Sequence, residues 1–336
     1  MASEGFVHVD GKLATRIVDV RHDLECLDGS GFWFVVMTFE GAVTCVRFAD
    51  VTPAPLPAGP WIGPGKSSWT SSLDQFDYVE RVDAVRARIE AGEVYQVNVC
   101  RVMSAPTPDA DLVGLATRLA DHHPSQYPAL AYLPAIGLHI CSASPELFLS
   151  RTRQEGVDVI ETKPIKGTGR TPADISLKDR AENVMIVDMA RNDLGRVAVT
   201  GGVDVPALCD LQEYPGLVHL VSTVRARVDR SVTWREILDA TFPPASVSGA
   251  PKSSALRLIA QLEPTARGPY CGAIGWVDAD RGEAALAVGI RTFWLDAGQL
   301  RFGTGAGITW GSDPQAEWAE TQLKADRLVG LASVGF

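Results

Sequence analysis

Two periodicities divide the chain into predicted helices and predicted strands. Apolar residues recur at intervals of three and four in six stretches, which predicts amphipathic helices. Shorter stretches alternate or run apolar between Gly and Pro, which predicts strands. The predicted helices are 72–92, 110–122, 176–194, 233–240, 252–262 and 312–332, and the predicted strands are 32–39, 93–105, 129–140, 147–151, 157–162, 217–228, 270–277, 284–295 and 299–304.

The order of these elements bears on the fold class. Strands come in runs of two or three between helices, without the regular alternation that a parallel doubly wound sheet requires. The sequence therefore predicts an α+β fold with large antiparallel sheets. The spacing of a capping box occurs twice, in Ser72 with Gln75 and in Ser312 with Gln315. We therefore expect helices to begin at these two serines.

The strand predicted at 93–105 has one polar face. Gln96 and Asn98 point away from the side on which Val97 and Val99 lie. A half-solvated sheet explains such a face without any function. A binding surface is the alternative.

Acidic residues share a face on two predicted helices. Glu317, Glu320 and Lys324 stand at i, i+3 and i+7, and Asp179 and Glu182 stand at i and i+3. A solvated charge stripe and an ordinary acidic first turn explain each helix separately. Together the two helices could hold a hard divalent cation such as Mg²⁺ through one carboxylate apiece and water.

Lys166 and two glycine-rich segments are further candidates. Lys166 lies in a Pro- and Gly-bounded turn after a predicted strand, where most lysines are solvated. As a nucleophile it would need a lowered pKa, so that the free amine exists near neutral pH. The turns at 246–252 and 303–314 match no nucleotide fingerprint but suit a small carboxylated ligand.

Composition excludes several classes of protein. With 31 Lys and Arg against 41 Asp and Glu, the net charge is −10, which argues against nucleic-acid binding through bulk charge. The uncharged stretch 122–145 contains prolines and histidines, so we expect no membrane span. Residues 1–10 do not read as a secretory signal, and a cytoplasmic enzyme is expected. The widely spaced cysteines indicate reduced thiols.

Nine segments, taken together, resemble the chorismate-utilising enzymes. This family contains anthranilate synthase component I, aminodeoxychorismate synthase component I, isochorismate synthases and salicylate synthases. The segments follow the family's order between about 72 and 330: VYQVNVCR (94–101), SPELF (144–148), TKPIKGT (162–168), AENVMIVDMARNDLGRV (181–197), HLVSTV (219–224), SVSGAPK (246–252), RGPYCGAIGW (267–276), GIRT (289–292) and GAGITWGSDPQAEWAETQLKA (305–325).

The resemblance implies a more specific architecture. It implies two large, mostly antiparallel sheets packed together, with helices outside and the active site in the cleft between them. It also implies one chorismate-binding catalytic domain over 1–336, with a catalytic core at 72–330 and a shortened, strand-rich N-terminal part at 1–70.

Roles for individual residues follow from the same resemblance. Glu182 and Glu320 match Mg²⁺ ligands, and Asp179 and Glu317 match positions that hold metal-bound water. Glu146 matches the general acid and base that serves the C4 hydroxyl, and Lys166 matches the nucleophile that adds to C2. The positions matched to substrate binding are Gln96, Thr168, His219, Ser248, Tyr270, Arg291, Gly305, Gly307 and Lys324.

Two positions discriminate among the family's reactions. The turn at 164–168 reads PIKGT, which resembles aminodeoxychorismate synthase component I, whereas anthranilate synthases typically carry PIAGT. Gln96 stands where isochorismate and salicylate synthases have a lysine that activates water. The resemblance therefore implies amination of chorismate at C4 to 4-amino-4-deoxychorismate, in 4-aminobenzoate and folate synthesis.

A partner and three alternatives complete the interpretation. Cys100 and Cys271 are predicted in strands rather than at a nucleophile turn, so ammonia is expected from a separate glutamine amidotransferase subunit. The alternatives are anthranilate synthase component I, an aminodeoxyisochorismate synthase of secondary metabolism, and a silent subunit that binds a metabolite and regulates a partner. The short N-terminal part and the FPPAS segment, with Pro244 and Ala245 where the family commonly has glycines, support the last.

Overall fold

The computed structural model describes residues 5–107, 111–154, 156–214 and 217–334. The helices in these residues are α1 Gln75–Glu90, α2 Val113–His122, α3 Leu177–Gly195, α4 Trp234–Thr241, α5 Lys252–Leu262 and α6 Pro314–Ala332. The strands are β1 Phe6–Val9, β2 Lys12–Arg21, β3 Phe32–Met37, β4 Val43–Pro53, β5 Thr70–Ser71, β6 Gln96–Pro106, β7 Tyr127–Leu133, β8 Leu138–Ser144, β9 Leu147–Arg153, β10 Asp158–Lys163, β11 Ile165–Gly169, β12 Val203–Tyr214, β13 Leu217–Val228, β14 Gly249–Ala250, β15 Ala273–Asp278, β16 Glu283–Val288, β17 Thr292–Asp296 and β18 Gln299–Ile308.

Strand β1 joins two halves of one antiparallel ladder. On one side it pairs with β2, which leads through β4, β3, β15, β16, β9, β10 and β13 to β12. On the other side it pairs with β7, which leads through β8, β17 and β18 to β6. Side chains of both halves share the largest hydrophobic core, so the halves pack face to face. The predicted α+β fold with two packed antiparallel sheets is confirmed.

The helices cover the outer faces of the two halves. Helix α3 lies on β11, β12 and β13, whereas α1, α2, α5 and α6 lie on β6, β8 and β18. The apolar faces of α1, α2, α5 and α6 form two smaller cores with the buried strands beneath them, whereas the apolar face of α3 joins the largest core. No helix in the ranges that the structure describes is both long enough and apolar enough to cross a bilayer.

Aspartates cap two helices where serines were predicted to do so. Asp74 caps α1 and Asp313 caps α6, each by accepting the N–H of the third residue beyond it. Ser72 instead accepts a hydrogen bond from a β6 amide at 2.9 Å, and Ser312 accepts one within the turn before α6 at 3.0 Å. The predicted capping boxes at these serines are therefore wrong. The predicted start of α2 at residue 110 lies outside the described residues.

Two predicted strands are each divided by a turn. The prediction 129–140 covers β7 and β8, which are separated by a short 3₁₀ turn, Pro134–Ile136. The prediction 284–295 covers β16 and β17, between which Arg291 has a φ of 53°. The proline of the 3₁₀ turn has no N–H to donate to a neighbouring strand, and the left-handed conformation of Arg291 is incompatible with extended backbone. These two features explain the interruptions.

Strand β6 is buried on both faces. Gln96 is 1% exposed and Asn98 is 6% exposed, so the explanation by a half-solvated sheet is wrong. The six cysteines are free, as predicted. Cys100 lies on β6, but Cys271 lies in a turn with a φ of 62°, where a strand was predicted. Its side chain is fully buried, which keeps the thiol away from a substrate such as glutamine.

Candidate active site

Ser246 brings Lys166 and Glu146 to one point. Lys166 lies on β11, and its amino group donates to the carbonyl of Ser246 at 3.4 Å. The hydroxyl of the same serine acts on Glu146, which precedes β9, as a hydrogen-bond donor that lowers the pKa of that carboxyl. The predicted nucleophile and the predicted general acid are therefore neighbours across a single residue.

Burial controls the acidity of Glu146. The residue is 5% exposed. Burial raises its pKa to about 7, against the opposing effects of the Ser246 hydroxyl, the Lys166 amine and the Arg291 guanidinium. A carboxyl with such a pKa can both give and receive a proton near neutral pH, as general acid and base catalysis requires.

Gln96 presents an unsatisfied carboxamide beside the lysine. Within the part of the chain that the structure describes, neither its nitrogen nor its oxygen has a hydrogen-bond partner, although both atoms are buried. A Cβ added to Gly307 would lie 2.5 Å from the Gln96 nitrogen and 3.6 Å from the Lys166 nitrogen. Because buried polar groups are rarely left unpaired, the space over Gly307 has the character of a ligand site.

The glycines of β18 form the floor of this space. A Cβ at Gly305 would lie 2.6 Å from the Cys100 sulfur, and one at Gly303 would overlap the Tyr270 ring at 2.1 Å. Lys324 donates to the Gly305 carbonyl at 3.1 Å. Tyr270 is buried, and its hydroxyl lies 3.9 Å from the Cys100 sulfur, at the far end of the same face. Only glycine permits the Tyr270 ring and the Cys100 sulfur to approach β18 this closely.

Arg291, His219 and Thr168 lie on the side of Glu146. The Thr168 hydroxyl and His219 Nδ1 are 2.8 Å apart. Burial, and then the charge of Arg291, lower the pKa of His219 to about 4. Arg291 itself contacts His123 Nε2 at 3.1 Å. Burial and then Arg291 lower the pKa of His123 to about 4, so its neutral ring can accept that hydrogen bond.

Ser248 holds the loop between α4 and α5 against β6. Its hydroxyl donates to the Pro244 carbonyl at 3.0 Å, and its own carbonyl accepts the Asn98 N–H at 2.8 Å. The side chain is fully buried. Ser248 therefore lies at the site, where it fixes the turn that carries Ser246.

Carboxylates of α3 and α6 meet at one lysine. The ammonium of Lys178 lies 3.7 Å from Glu182 and 3.5 Å from Glu317. Burial lowers the pKa of Lys178, but Glu317, Glu182 and other acids outweigh it and the net shift is upward. Burial raises the pKa of Glu182, against the charges of Lys166 and Lys178. Glu320 pairs with Lys324 at 2.6 Å. The two helices do bring their acids together.

Asp179 serves its own helix. One of its oxygens accepts hydrogen bonds from the Ser176 backbone and hydroxyl, at 2.8 and 2.6 Å, in a capping box. The ordinary explanation of an acidic first turn therefore holds for this residue, whatever its second oxygen binds.

The acids of α3 and α6 suit a hard cation in donor chemistry. Glu182, Glu317 and Glu320 supply carboxylate oxygens, which Mg²⁺ prefers. No group of three His, Cys, Asp or Glu among the described residues has the spacing of a formed metal site, and Lys178 supplies the positive charge instead. The Lys178 side chain is 51% exposed, so it can turn outward and leave the carboxylates to a divalent cation.

Three residues at the site were not singled out in the sequence. Lys178 stands at i, i+4 from Glu182, a spacing that is visible on a predicted helix. Ser246 lies in the SVSGAPK segment, beside the predicted Ser248. His123 carries no signal in the sequence, because its contact with Arg291 spans 168 residues.

Comparison with known proteins identifies similar chains. Residues 62–330 match a family model described as chorismate binding enzyme. The aminodeoxychorismate synthase component 1 of Salmonella typhimurium is 38% identical over 275 residues, which are 78% of this chain and 59% of that protein. The anthranilate synthase component 1 of Streptomyces coelicolor is also 38% identical, over 81% of this chain and 54% of its own length. The chain thus spans little more than half the length of these two relatives.

Solved structures show the same fold. The anthranilate synthase component I of Streptococcus pneumoniae has a TM-score of 0.75 and 24% identity, covering 96% of this chain and 90% of its own. MenF, the menaquinone-specific isochorismate synthase of Escherichia coli, has a TM-score of 0.79 and 17% identity, covering 98% and 88%. The architecture is therefore that of the chorismate-utilising enzymes, whose members named here differ in reaction.

Proposed function

Because the chain belongs to the chorismate-binding enzyme family, we propose that it aminates chorismate at C4, with ammonia, to 4-amino-4-deoxychorismate. The observation that carries the proposal is the position of Lys166, one serine away from Glu146 and beside the space over Gly307. The PIKGT turn, which resembles that of aminodeoxychorismate synthase component I, supports the same choice among the family's reactions.

Lys166 and Glu146 perform the first half of the reaction. The amine adds to C2 of the ring, the ring double bond shifts, and the C4 hydroxyl leaves. Glu146 gives its proton to that hydroxyl, which departs as water. The product is a secondary ammonium that joins Lys166 to C2, and Glu146 is left as a carboxylate.

Cationic groups hold the substrate's two carboxylates. Arg291 lies near Glu146 and Lys324 lies beside Gly305, and each can pair with one carboxylate. Glu182 and Glu320 would hold Mg²⁺, and Asp179 and Glu317 would bind the water molecules coordinated to it. The ion would neutralise a substrate carboxylate close to these acids, against the chain's net charge of −10.

Gln96 favours an amine over water as the attacking group. A carboxamide cannot remove a proton from water near neutral pH, but it can donate and accept hydrogen bonds. Its two unsatisfied atoms lie beside Lys166 and can hold the ring or the amine in place. Attack by water at C2 is therefore disfavoured.

We infer that a glutamine amidotransferase subunit supplies the ammonia. The two relatives that are 38% identical over the aligned residues are named as component 1 of their enzymes, which supports a second component. We propose that the product enters 4-aminobenzoate and folate synthesis.

Product analysis tests the reaction. The chain is incubated with chorismate, Mg²⁺ and an ammonium salt, and the products are separated by chromatography. We expect 4-amino-4-deoxychorismate. Anthranilate and pyruvate would show anthranilate synthase chemistry instead, and aminodeoxyisochorismate would show amination at C2. No turnover at saturating ammonia would favour a silent binding subunit.

A further inference from the structure

A small cavity of about 20 Å³, enough for one molecule the size of water, lies behind Glu146. It extends from Glu146 and Ser246 to the C-terminal ends of α3 and α4, where Asp193 and Thr241 line it. This cavity is separate from the glycine floor of β18, because it lies between α3, the start of β9 and the loop that follows α4. Nothing in the chemistry of Lys166 with chorismate requires an open space there.

The wall of this cavity is apolar. Phe148, Ile186, Ala190 and Leu194 line it, and each is at most 7% exposed. An apolar wall of this kind admits a small neutral molecule and disfavours an ion, which would lose its hydration.

Asp193, the carboxylate at the other end of the cavity from Glu146, forms an ion pair. Asp193 binds the ammonium of Lys252 at 2.7 Å, and both side chains are largely buried. Lys252 also donates to the Thr241 carbonyl at 2.8 Å. Because this carboxylate is already neutralised, the Asp193 end of the cavity does not retain a cation such as ammonium.

The inner end of the cavity reaches the leaving-group side of the site. Its lining includes Glu146, which protonates the C4 hydroxyl in the proposed reaction, and Ser246, which contacts both Glu146 and Lys166. A molecule at this end is therefore next to the carbon that loses its hydroxyl. It is also next to a carboxylate that has just given up a proton.

We propose that this cavity, lined by Glu146, Ala190 and Asp193, holds the neutral ammonia molecule that attacks C4. The inference rests on the proposed function and adds a binding site for its second substrate. Pro244 and Ala245, which stand where the family commonly has glycines, also line the cavity.

The second half of the reaction then balances in protons and electrons. The ammonia lone pair forms the N–C4 bond, the ring double bond shifts back, and the C2–N bond to Lys166 breaks. The electron pair of that bond returns to Lys166, which leaves as a neutral amine. The nitrogen now on C4 gives one proton to the Glu146 carboxylate. Lys166 and Glu146 thus return to their starting states. One ammonia has been consumed, and one water has been released.

Filling the cavity tests the proposal. Ala190→Leu places a larger side chain in the cavity, and the Lys166 adduct is first formed with chorismate and Mg²⁺ without ammonia. Ammonium chloride is then added at fixed pH. We expect the adduct to form within twofold of the wild-type rate and kcat/KM for ammonia to fall at least tenfold. Ala116→Leu is the matched control, because Ala116 is a buried alanine on α2 that lines a different cavity of about 130 Å³.

A second variant covers the case in which Ala190→Leu does not fold. Ile186→Val removes one methyl group from the wall, and methylamine adds one to the nucleophile. We expect the ratio of kcat/KM for methylamine to that for ammonia to rise at least threefold. Unchanged ammonia kinetics in folded Ala190→Leu, an equal loss in Ala116→Leu, or an unchanged amine ratio in Ile186→Val would overturn the ammonia site. Absence of any adduct in the wild type would instead overturn the proposed function.

Discussion

The two ends of the site differ in whether their polar side chains are paired within the protein. At the amine end, Lys166, Glu146 and Gln96 lie on or beside strands, and the carboxamide of Gln96 has no hydrogen-bond partner among the described residues. At the acidic end, the carboxylates of α3 and α6 pair with two lysines, Lys178 and Lys324, that are each 51% exposed. The amine end therefore offers unpaired polar groups to a ligand, whereas the carboxylates of the acidic end are already paired with lysines of the chain.

The amine end is preorganised for its ligand, whereas at the acidic end a cation must first replace a lysine. Gln96 is buried, and its backbone pairs with Ala250 of β14, which leaves the residue little freedom, so its orientation costs little when substrate binds. The lysines of the acidic end are long and half exposed, and such surface ion pairs contribute little to stability. A divalent cation can therefore replace Lys178 at small cost. Variants at each end should lose different properties.

The largest effect is expected at the nucleophile. Lys166→Ala should lower turnover on the order of 10³-fold or more and abolish the covalent adduct in intact-mass spectra. Mg²⁺ affinity, measured by calorimetry, should stay within twofold. Lys163→Ala is the matched control, since Lys163 lies three residues earlier and pairs with Glu161 at 3.0 Å. An adduct that persists in Lys166→Ala would show that another group is the nucleophile.

The buried acid should impose a pH dependence on stability. The pKa of Glu146 is about 7 in the fold and 4.5 when unfolded, so the folded state binds the extra proton between these values. Wild-type stability from this group is therefore complete below pH 4.5 and is lost as pH rises through 7, by about 3 kcal/mol. Glu146→Gln should remove that loss, so its stability relative to wild type should increase with pH. A constant difference in urea unfolding from pH 5 to 8 would contradict the burial argument.

At the acidic end, Glu320→Gln should weaken the binding of Mg²⁺ roughly tenfold or more, because one anionic ligand is lost. Calorimetric titration with Mg²⁺ alone measures this without turnover. If Glu320→Gln keeps its affinity for Mg²⁺, or if Lys166→Ala loses it, the division between the two ends is wrong.

The smallest effect is expected from the competing lysine. Lys178→Met should bind Mg²⁺ about threefold more tightly, because the ammonium no longer occupies the space between Glu182 and Glu317. Arg191→Met is the control on the same helix, where Arg191 pairs with Asp188 at 3.3 Å. Weaker Mg²⁺ binding in Lys178→Met would show that this lysine supports the site instead of competing for it.

The success of sequence-based prediction differed with the range of the interactions. The bounds of α5 and β13 were predicted to the residue, because periodicity and turn residues within each segment determine them. The caps of α1 and α6 were misplaced by one or two residues, since aspartates nearer each helix compete with the serines. The strand predicted at 284–295 missed the break that places Arg291, because a left-handed residue has no signature in alternation.

The order of residues along the chain determined the α+β class, the acidic faces of two helices and the motifs of the family. These depend on contacts between near neighbours and on residue types. Only the tertiary structure decided that Ser246 joins Lys166 to Glu146, that Lys178 bridges α3 and α6, and that a cavity lies behind Glu146. Those facts depend on the face-to-face packing of two sheet halves and on burial, which arise from residues far apart in sequence.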